Sequence, residues 1–427
     1  MLLAVLPRML PGGADVRIDL AAFAHGRAVL RDVAFALAWE PQHLPRLSGG
    51  GKFPDGGRME VTARLVQQQG SQSPILRIET RAELLRADRT LPALGVIPPG
   101  PLRDGRHLQL VMRADWGAQQ ARFAPLTITW DDRRLEARLT LARQQGGRLQ
   151  AELDADLPAF TLPASPAREH GADAIAGPHV LLAPLGELLA GWPEELALAY
   201  RLRLPALDIS DVAVRDIVAA GALTTAEGVT IKQLTGGLGG LRFALSGRYQ
   251  GGRKDHALTL AGTVRIHQPH RLAAVAGRPD LASLFGRLPA RWQVAVDLDE
   301  KNVRAKLGGA DSTTRIAGEG EISWQEGKNP VLALDADITT QQLSRLLVPP
   351  IPAADDRMSR VARSLGDHAQ LHLSASGRFS ASGLAGQGTL RMEGSLLGAR
   401  TQLSLLLPDR QGGTAADRRD VAIRWQV

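Results

Sequence analysis

The sequence has no cysteine, which removes disulfides, thiolate metal sites and every cysteine-nucleophile mechanism from consideration. Aromatic residues make up only 4%, with two tyrosines, so there is little from which to build a stacking platform for nucleic acid. The seven tryptophans (Trp39, Trp116, Trp130, Trp192, Trp292, Trp324 and Trp425) are spread along the chain without forming a carbohydrate platform. Lysine is confined to Lys52, Lys232, Lys254, Lys301, Lys306 and Lys328. The net charge of +7 therefore rests on arginines scattered among Asp and Glu, which reads as a solvated face rather than a nucleic-acid stripe. No apolar run reaches the ~20 residues of a spanning helix. Met1-Leu-Leu-Ala-Val-Leu6 is broken at Pro7, Arg8 and Pro11, and it lacks the basic start and cleavage site of a signal peptide. Also missing are a Gly-x-Ser-x-Gly elbow, a His-Glu-x-x-His helix and a phosphate loop with its Lys-Ser/Thr.

What the chain does contain is written twice. Arg201-Leu-Arg-Leu204 stands over Arg17-Ile-Asp-Leu20, and Val214-Arg-Asp-Ile217 over Leu30-Arg-Asp-Val33, both displaced by 184 residues. Leu258, Leu260, Val264 and Ile266 fall over Leu76, Ile78, Ala82 and Leu84 at 182, and Leu334-Asp-Ala-Asp337 over Leu153-Asp-Ala-Asp156 at 181. A tandem duplication with small insertions covers most of the 427 residues. The organisation read from it is a first repeat at 1–162, a Pro/Ala/Gly/Ser-rich linker at 163–180, a second repeat at 181–347, and a partial third repeat or closing strands at 348–427. Because residue 1 lies over the inside of the second copy, the chain is expected to begin within a repeat, with a targeting segment upstream.

Within each copy, apolar residues alternate with Arg, Glu, Asp or Thr, the period of strands with one buried face. Strands are expected at 16–20, 28–37, 59–66, 75–85, 107–114, 120–124, 127–130, 134–142 and 148–157, with a slip of parity at Arg31-Asp32. The glycines at 49–51 and 56–57 read as a loop and a turn. Helices are expected at 1–10, 181–191, 279–287 and 355–365. Connections of two to six residues suit antiparallel neighbours and exclude helical crossovers. The fold class is mostly β, a long antiparallel repeating sheet curved into a groove or half-pipe, with short helices at repeat starts and ends.

Asp15-Val-Arg-Ile-Asp-Leu20, Arg27-Ala-Val-Leu-Arg-Asp-Val33 and the Gly57–Leu65 strand resemble the C-terminal region of AsmA-family envelope proteins. So do Thr314-Arg-Ile-Ala-Gly-Glu-Gly-Glu-Ile-Ser-Trp324, Asn329-Pro-Val-Leu-Ala-Leu-Asp-Ala-Asp337 and Leu343-Ser-Arg-Leu-Leu347. The resemblance covers roughly 17–160 and 196–347, with an echo after 369. It implies a periplasmic β-groove that carries phospholipid toward the outer membrane. It further implies an inner-membrane anchor lying outside this chain, and membrane-protein partners at the two ends of the full bridge.

The residues support a compatible reading of their own. A long sheet with one apolar face and few helices to cover it either folds into a sandwich or leaves an open greasy face that suits acyl chains. The candidate lining residues are Leu135, Leu139, Leu141, Leu258, Leu260, Val264, Ile266, Val294, Val296 and Leu334. The alternative makes them ordinary core of a closed β-sandwich, a scaffold for outer-membrane biogenesis. No catalytic residue, metal or cofactor is assigned. The pairs Asp154/Asp156, Asp297/Asp299 and Asp335/Asp337 read as an outer solvated row, and His267/His270 and His368/His372 as surface histidines. Thr235-Gly-Gly-Leu-Gly-Gly-Leu241 reads as turn and bulge glycine.

Overall fold

Alternating patterns of this kind commit most of the chain to strands, and the chain is mostly β, with a mostly antiparallel sheet that does not close and few short helices. The computed structural model describes residues 14–25, 28–39, 44–67, 74–93, 107–144, 147–162, 179–209, 212–251, 256–275, 279, 282–324, 330–341, 369–380, 383–384, 388–396, 399–407 and 423–426. The helices expected at 1–10 and 355–365, most of the 163–180 linker and His368 lie outside these. By contacts the chain divides into two units, 1–162 with 193–208, and 163–192 with 209–427.

The first unit holds β1 (Ala14–His25), β2 (Ala28–Trp39), β3 (Arg46–Lys52), β4 (Arg58–Val66), β5 (Ile75–Leu84), helix α1 (Ala87–Ala93), β6 (Leu108–Trp116), β7 (Gln120–Trp130), β8 (Arg133–Arg143), β9 (Leu149–Asp156), β10 (Phe160–Leu162) and nearly all of β11 (Leu196–Ile209). Strands β1 to β9 pair antiparallel in sequence order. The exception is β11, which runs parallel to β9, Leu196 opposite Leu149 through Arg203 opposite Asp156. Exclusion of crossovers fails at this one place. A parallel neighbour needs a long connection, and residues 157–195 supply it.

The second unit holds α2 (His179–Ala190), β12 (Val212–Thr224), β13 (Gly228–Leu238), β14 (Leu241–Gly251), β15 (His256–Ile266), α3 (Pro269–Val275), α4 (Ala282–Phe285), β16 (Arg291–Leu298), β17 (Asn302–Ala310), β18 (Thr314–Ser323), β19 (Val331–Thr340), β20 (Ala369–Ser380), β21 (Gly383–Leu384), β22 (Gly388–Leu396), β23 (Ala399–Leu407) and β24 (Ile423–Gln426). From β12 to β20 each strand pairs antiparallel with the next, and β22, β23 and β24 follow β20 in the same sense.

The duplication reaches backbone detail. Asp32 and Asp216, 184 residues apart, both adopt positive φ, 49° and 53°. Each coincides with a register shift against the next strand, between Arg31 and Ala34 in one copy and Arg215 and Val218 in the other. The parity slip in the sequence is this β-bulge, one extra residue that re-aims the rest of the strand.

Three local expectations change. The glycines at 49–51 lie inside β3 rather than in a loop, because the Phe35 ring of β2 lies over Gly49, where a Cβ would come within 2.4 Å of it. The runs 120–124 and 127–130 are one strand, β7, offset between Phe123 and Leu126 around a cis Ala124–Pro125 bond; a proline within a sheet is accommodated at such an irregularity. Helices α1 and α3 follow β5 and β15 at equivalent places in the two copies and were not legible. Each has only seven residues, and α1 contains Pro92.

Candidate functional site: the apolar face

Strand alternation sorts the side chains of each unit onto two faces. In the first unit one apolar row runs across six strands, Ile78, Ala114, Phe123, Leu139, Leu153 and Tyr200, each opposite the next. Of the predicted lining residues, Leu135, Leu139 and Leu141 project from β8 to this face. Leu135 lies opposite Ile128, and Leu141 opposite Ala121 and Ala151.

The second unit repeats the pattern in longer rows. Leu260 is followed by Val296, Ala305, Gly320, Leu334 and Ala375, and Leu258 by Leu298, Val303, Ile322 and Leu332. A third row runs Phe243, Val264, Trp292, Gly309, Ile316, Ile338 and Leu371. Val294 lies opposite Gly262 and Leu307, and Ile266 opposite Leu241. The ten predicted residues thus fall into two sets, three in the first unit and seven in the second, each set on one face.

None of the ten is buried. Nine are half-buried and Leu334 is 42% exposed. The core of a sandwich behaves otherwise, since its inner leucines lose nearly all contact with water. Full burial on this face belongs to small residues overhung by larger neighbours, such as Ala114, Ala137, Ala151 and Ala155, and to the ends of the strands.

At those ends the helices sit. In the first unit α1 contributes Ala87 to a cluster with Phe53, Leu84, Leu108 and Trp130, against which Met59, Leu110 and Ile128 pack. Asp55, in the turn between β3 and β4, fixes the helix start by accepting from the Arg86 amide at 2.9 Å and the Thr90 hydroxyl at 3.0 Å. In the second unit α2 buries Leu182 and Leu189 and meets the far end of β14 and β15. The Tyr249 hydroxyl donates to the Leu182 carbonyl at 3.2 Å and lies 2.8 Å from His256 Nδ1, while its ring stacks on His256. Burial pushes the Tyr249 phenol up. At the opposite end, Gly239 and Gly240 turn β13 into β14 with φ of 48° and 92°. A Cβ on Gly239 would come within 2.5 Å of Val275 on α3. The Gly-rich run is therefore a hairpin turn seated under a helix, and both ends of β14 and β15 carry helical cover while the middle stays open.

The opposite face is charged and paired with itself. Lys306 reaches Glu319 at 3.3 Å, Arg304 reaches Glu321 at 3.0 Å, and His372 reaches Asp337 at 2.9 Å and Asp335 at 3.4 Å. The bond to Asp337 raises the His372 pKa above its ordinary value. In the first unit Arg77 binds Asp115 with two hydrogen bonds, at 2.7 and 3.0 Å, and holds that carboxyl below the usual range. Arg203 of β11 pairs with Asp154 at 2.9 Å and with Asp156 of β9. Two of the three Asp-x-Asp pairs thus stand on the polar face. The third departs, since β16 ends at Leu298 and Asp299 accepts from the Lys301 and Asn302 amides in the following turn. His267 and His270 are exposed. Among the described residues no group of acidic and histidine side chains could hold a metal ion.

Two shallow depressions also lie on the polar face rather than on the apolar one. One of about 490 Å3 is bordered by Ala261, Gln293, Lys306, Gly308, Glu319 and Asp335. The other, of about 420 Å3, is bordered by Arg17, Ala34, Ser48, Gly50, Glu60 and Thr62. Both are gaps left where Ala, Gly and Ser stand among longer side chains, and the ion pairs around them leave no unmet charge directed inward. Among the described residues no helix is long and apolar enough to cross a membrane. Neither a family model, nor a curated protein, nor a solved structure matches this chain.

Proposed function

We propose that the apolar face of each unit is a hydrocarbon-binding surface, and that the chain is a non-enzymatic lipid-carrying segment of an AsmA-like cell-envelope protein. The observation that carries this reading is the half-exposure of Leu258, Leu260, Val264, Val294, Val296 and Leu334 along rows several strands long. Contiguous apolar area of that kind is costly in water unless something greasy covers it. An acyl chain lying in the face buries one side of each methylene. About half of the ~0.8 kcal/mol per CH2 is then realised, so ten methylenes contribute roughly 4 kcal/mol without any specific pocket. Headgroups stay in water, and chains slide because one row of leucines is much like the next. In this reading the sheet acts as a groove, the compartment is the periplasm, and partners in the inner and outer membranes load and unload the lipid.

Detergent-free purification of residues 1–427 followed by mass spectrometry of extracted lipid tests this. Phospholipid in stoichiometric amount is the expected result. Bare protein that remains folded and monodisperse overturns it and leaves the scaffold reading.

A further inference from the structure

Strand β1 is hydrogen-bonded to β2 along one edge, and among the described residues no strand occupies its other edge. Its counterpart in the duplication is not so placed. β11, 184 residues later, carries β9 alongside it in parallel, with Ala199, Tyr200, Arg201, Leu202 and Arg203 opposite Glu152, Leu153, Asp154, Ala155 and Asp156. The side chains record the difference. Val16, Ile18 and Leu20 are 43%, 51% and 38% exposed, whereas their equivalents Tyr200, Leu202 and Leu204 are half-buried. Arg203 is satisfied across the strands by Asp154 and Asp156, while Arg17 folds back on Asp19 of its own strand at 3.0 Å, both side chains well exposed. A twelve-residue edge strand without proline or a lysine guard is a template for strand addition.

We propose that the free edge of β1 docks a β-strand of another polypeptide, parallel to β1, in the register that β9 adopts on β11. The polar row of β1 specifies the occupant. Where β11 presents Ala199, Arg201 and Arg203 to an all-acidic row, β1 presents Asp15, Arg17 and Asp19. The matching strand carries a cation, a carboxylate and a cation at alternate positions, with aliphatic residues between them meeting Val16 and Ile18. A β9 strand from a second copy is the wrong partner. It sets Glu152 against Asp15 and Asp156 against Asp19, and like charges directly opposite each other are destabilising. The junction between repeats is thus keyed by charge, so that a strand like β9 is accepted by β11 and refused by β1.

The test uses the full chain and two fluorescent peptides. One copies residues 149–157, and the other is the same peptide with E152K and D156K. Fluorescence anisotropy should show the charge-swapped peptide binding at least tenfold more tightly than the copy. Protection of the β1 amides from hydrogen exchange should accompany that binding. The variant Asp19→Arg, exposed and outside the apolar face, should reduce the preference and raise affinity for the unaltered copy. Equal binding of the two peptides, absence of binding by either, or protection that appears away from β1 would overturn the proposal.

Discussion

Replacing Leu260 by Glu places a carboxylate in the middle of β15, between Gly247 of β14 and Val296 of β16. Leu260 is half-buried, so the protein loses only part of the transfer energy of a leucine, about 1 kcal/mol of the roughly 1.5–3 kcal/mol for full burial. The new carboxylate keeps its water, and the sheet stays folded. Hydrocarbon laid over the site strips that water, and desolvating an ion costs several kcal/mol. A penalty of about 3 kcal/mol lowers occupancy roughly a hundredfold at that point. The assay pairs urea denaturation with lipid content for the parent, Leu260→Glu and Ala261→Glu, the last being the neighbouring residue on the opposite, exposed face. The expected pattern is near-parental stability in both variants, with lipid lost only in Leu260→Glu. If that variant unfolds as a charge in a closed core would make it, or if it keeps its lipid, the reasoning is refuted.

Other perturbations address the ends and the polar face. Trp130→Ala, at 6% exposure within the cluster under α1, should cost about 3–5 kcal/mol, read as a lower urea midpoint for the first unit by proteolysis. Asp55→Ala removes acceptors for the Arg86 amide and the Thr90 hydroxyl. Loss of such a cap costs about 1 kcal/mol, and faster exchange of the α1 amides should report it. The raised His372 pKa means that its link to Asp337 contributes stability fully below the unfolded histidine pKa. That contribution is lost as pH rises through the folded value. NMR titration should place His372 above ordinary histidines, and Asp337→Asn should bring it down. Asp115 runs the other way, because Arg77 depresses its pKa. Its contribution is present above the unfolded carboxyl pKa and disappears as acid carries pH through the folded value, an acid transition that Asp115→Asn should remove.

The repeat was legible because matched strings such as Leu30-Arg-Asp-Val33 and Val214-Arg-Asp-Ile217 occupy the same bulge, so backbone and sequence share one periodicity. Period-two alternation likewise placed Leu258, Leu260, Val294, Val296 and Leu334 on one face, since parity alone decides it. What alternation does not encode is pairing between strands remote in sequence. The parallel docking of β11 on β9 depends on a crossover, and no local pattern announces it. Glycine was the other blind spot. At Gly49 it marks space for the Phe35 ring within a strand, while at Gly239 and Gly240 it marks a turn, and composition is the same in both cases. The short helices α1 and α3 fall below the length at which a 3.6-residue period can be recognised, and they stand through burial of Ala87 and Ala273 rather than through propensity.

The most direct measurement of whether the apolar face meets hydrocarbon uses two adjacent residues of β16. A photoreactive benzophenone side chain is placed at Val294 or at Gln293, which strand parity directs to opposite faces. After irradiation with phospholipid present, lipid adducts should form at Val294 and be absent at Gln293. Equal labelling at both, or none at Val294 in a folded protein, would contradict the account.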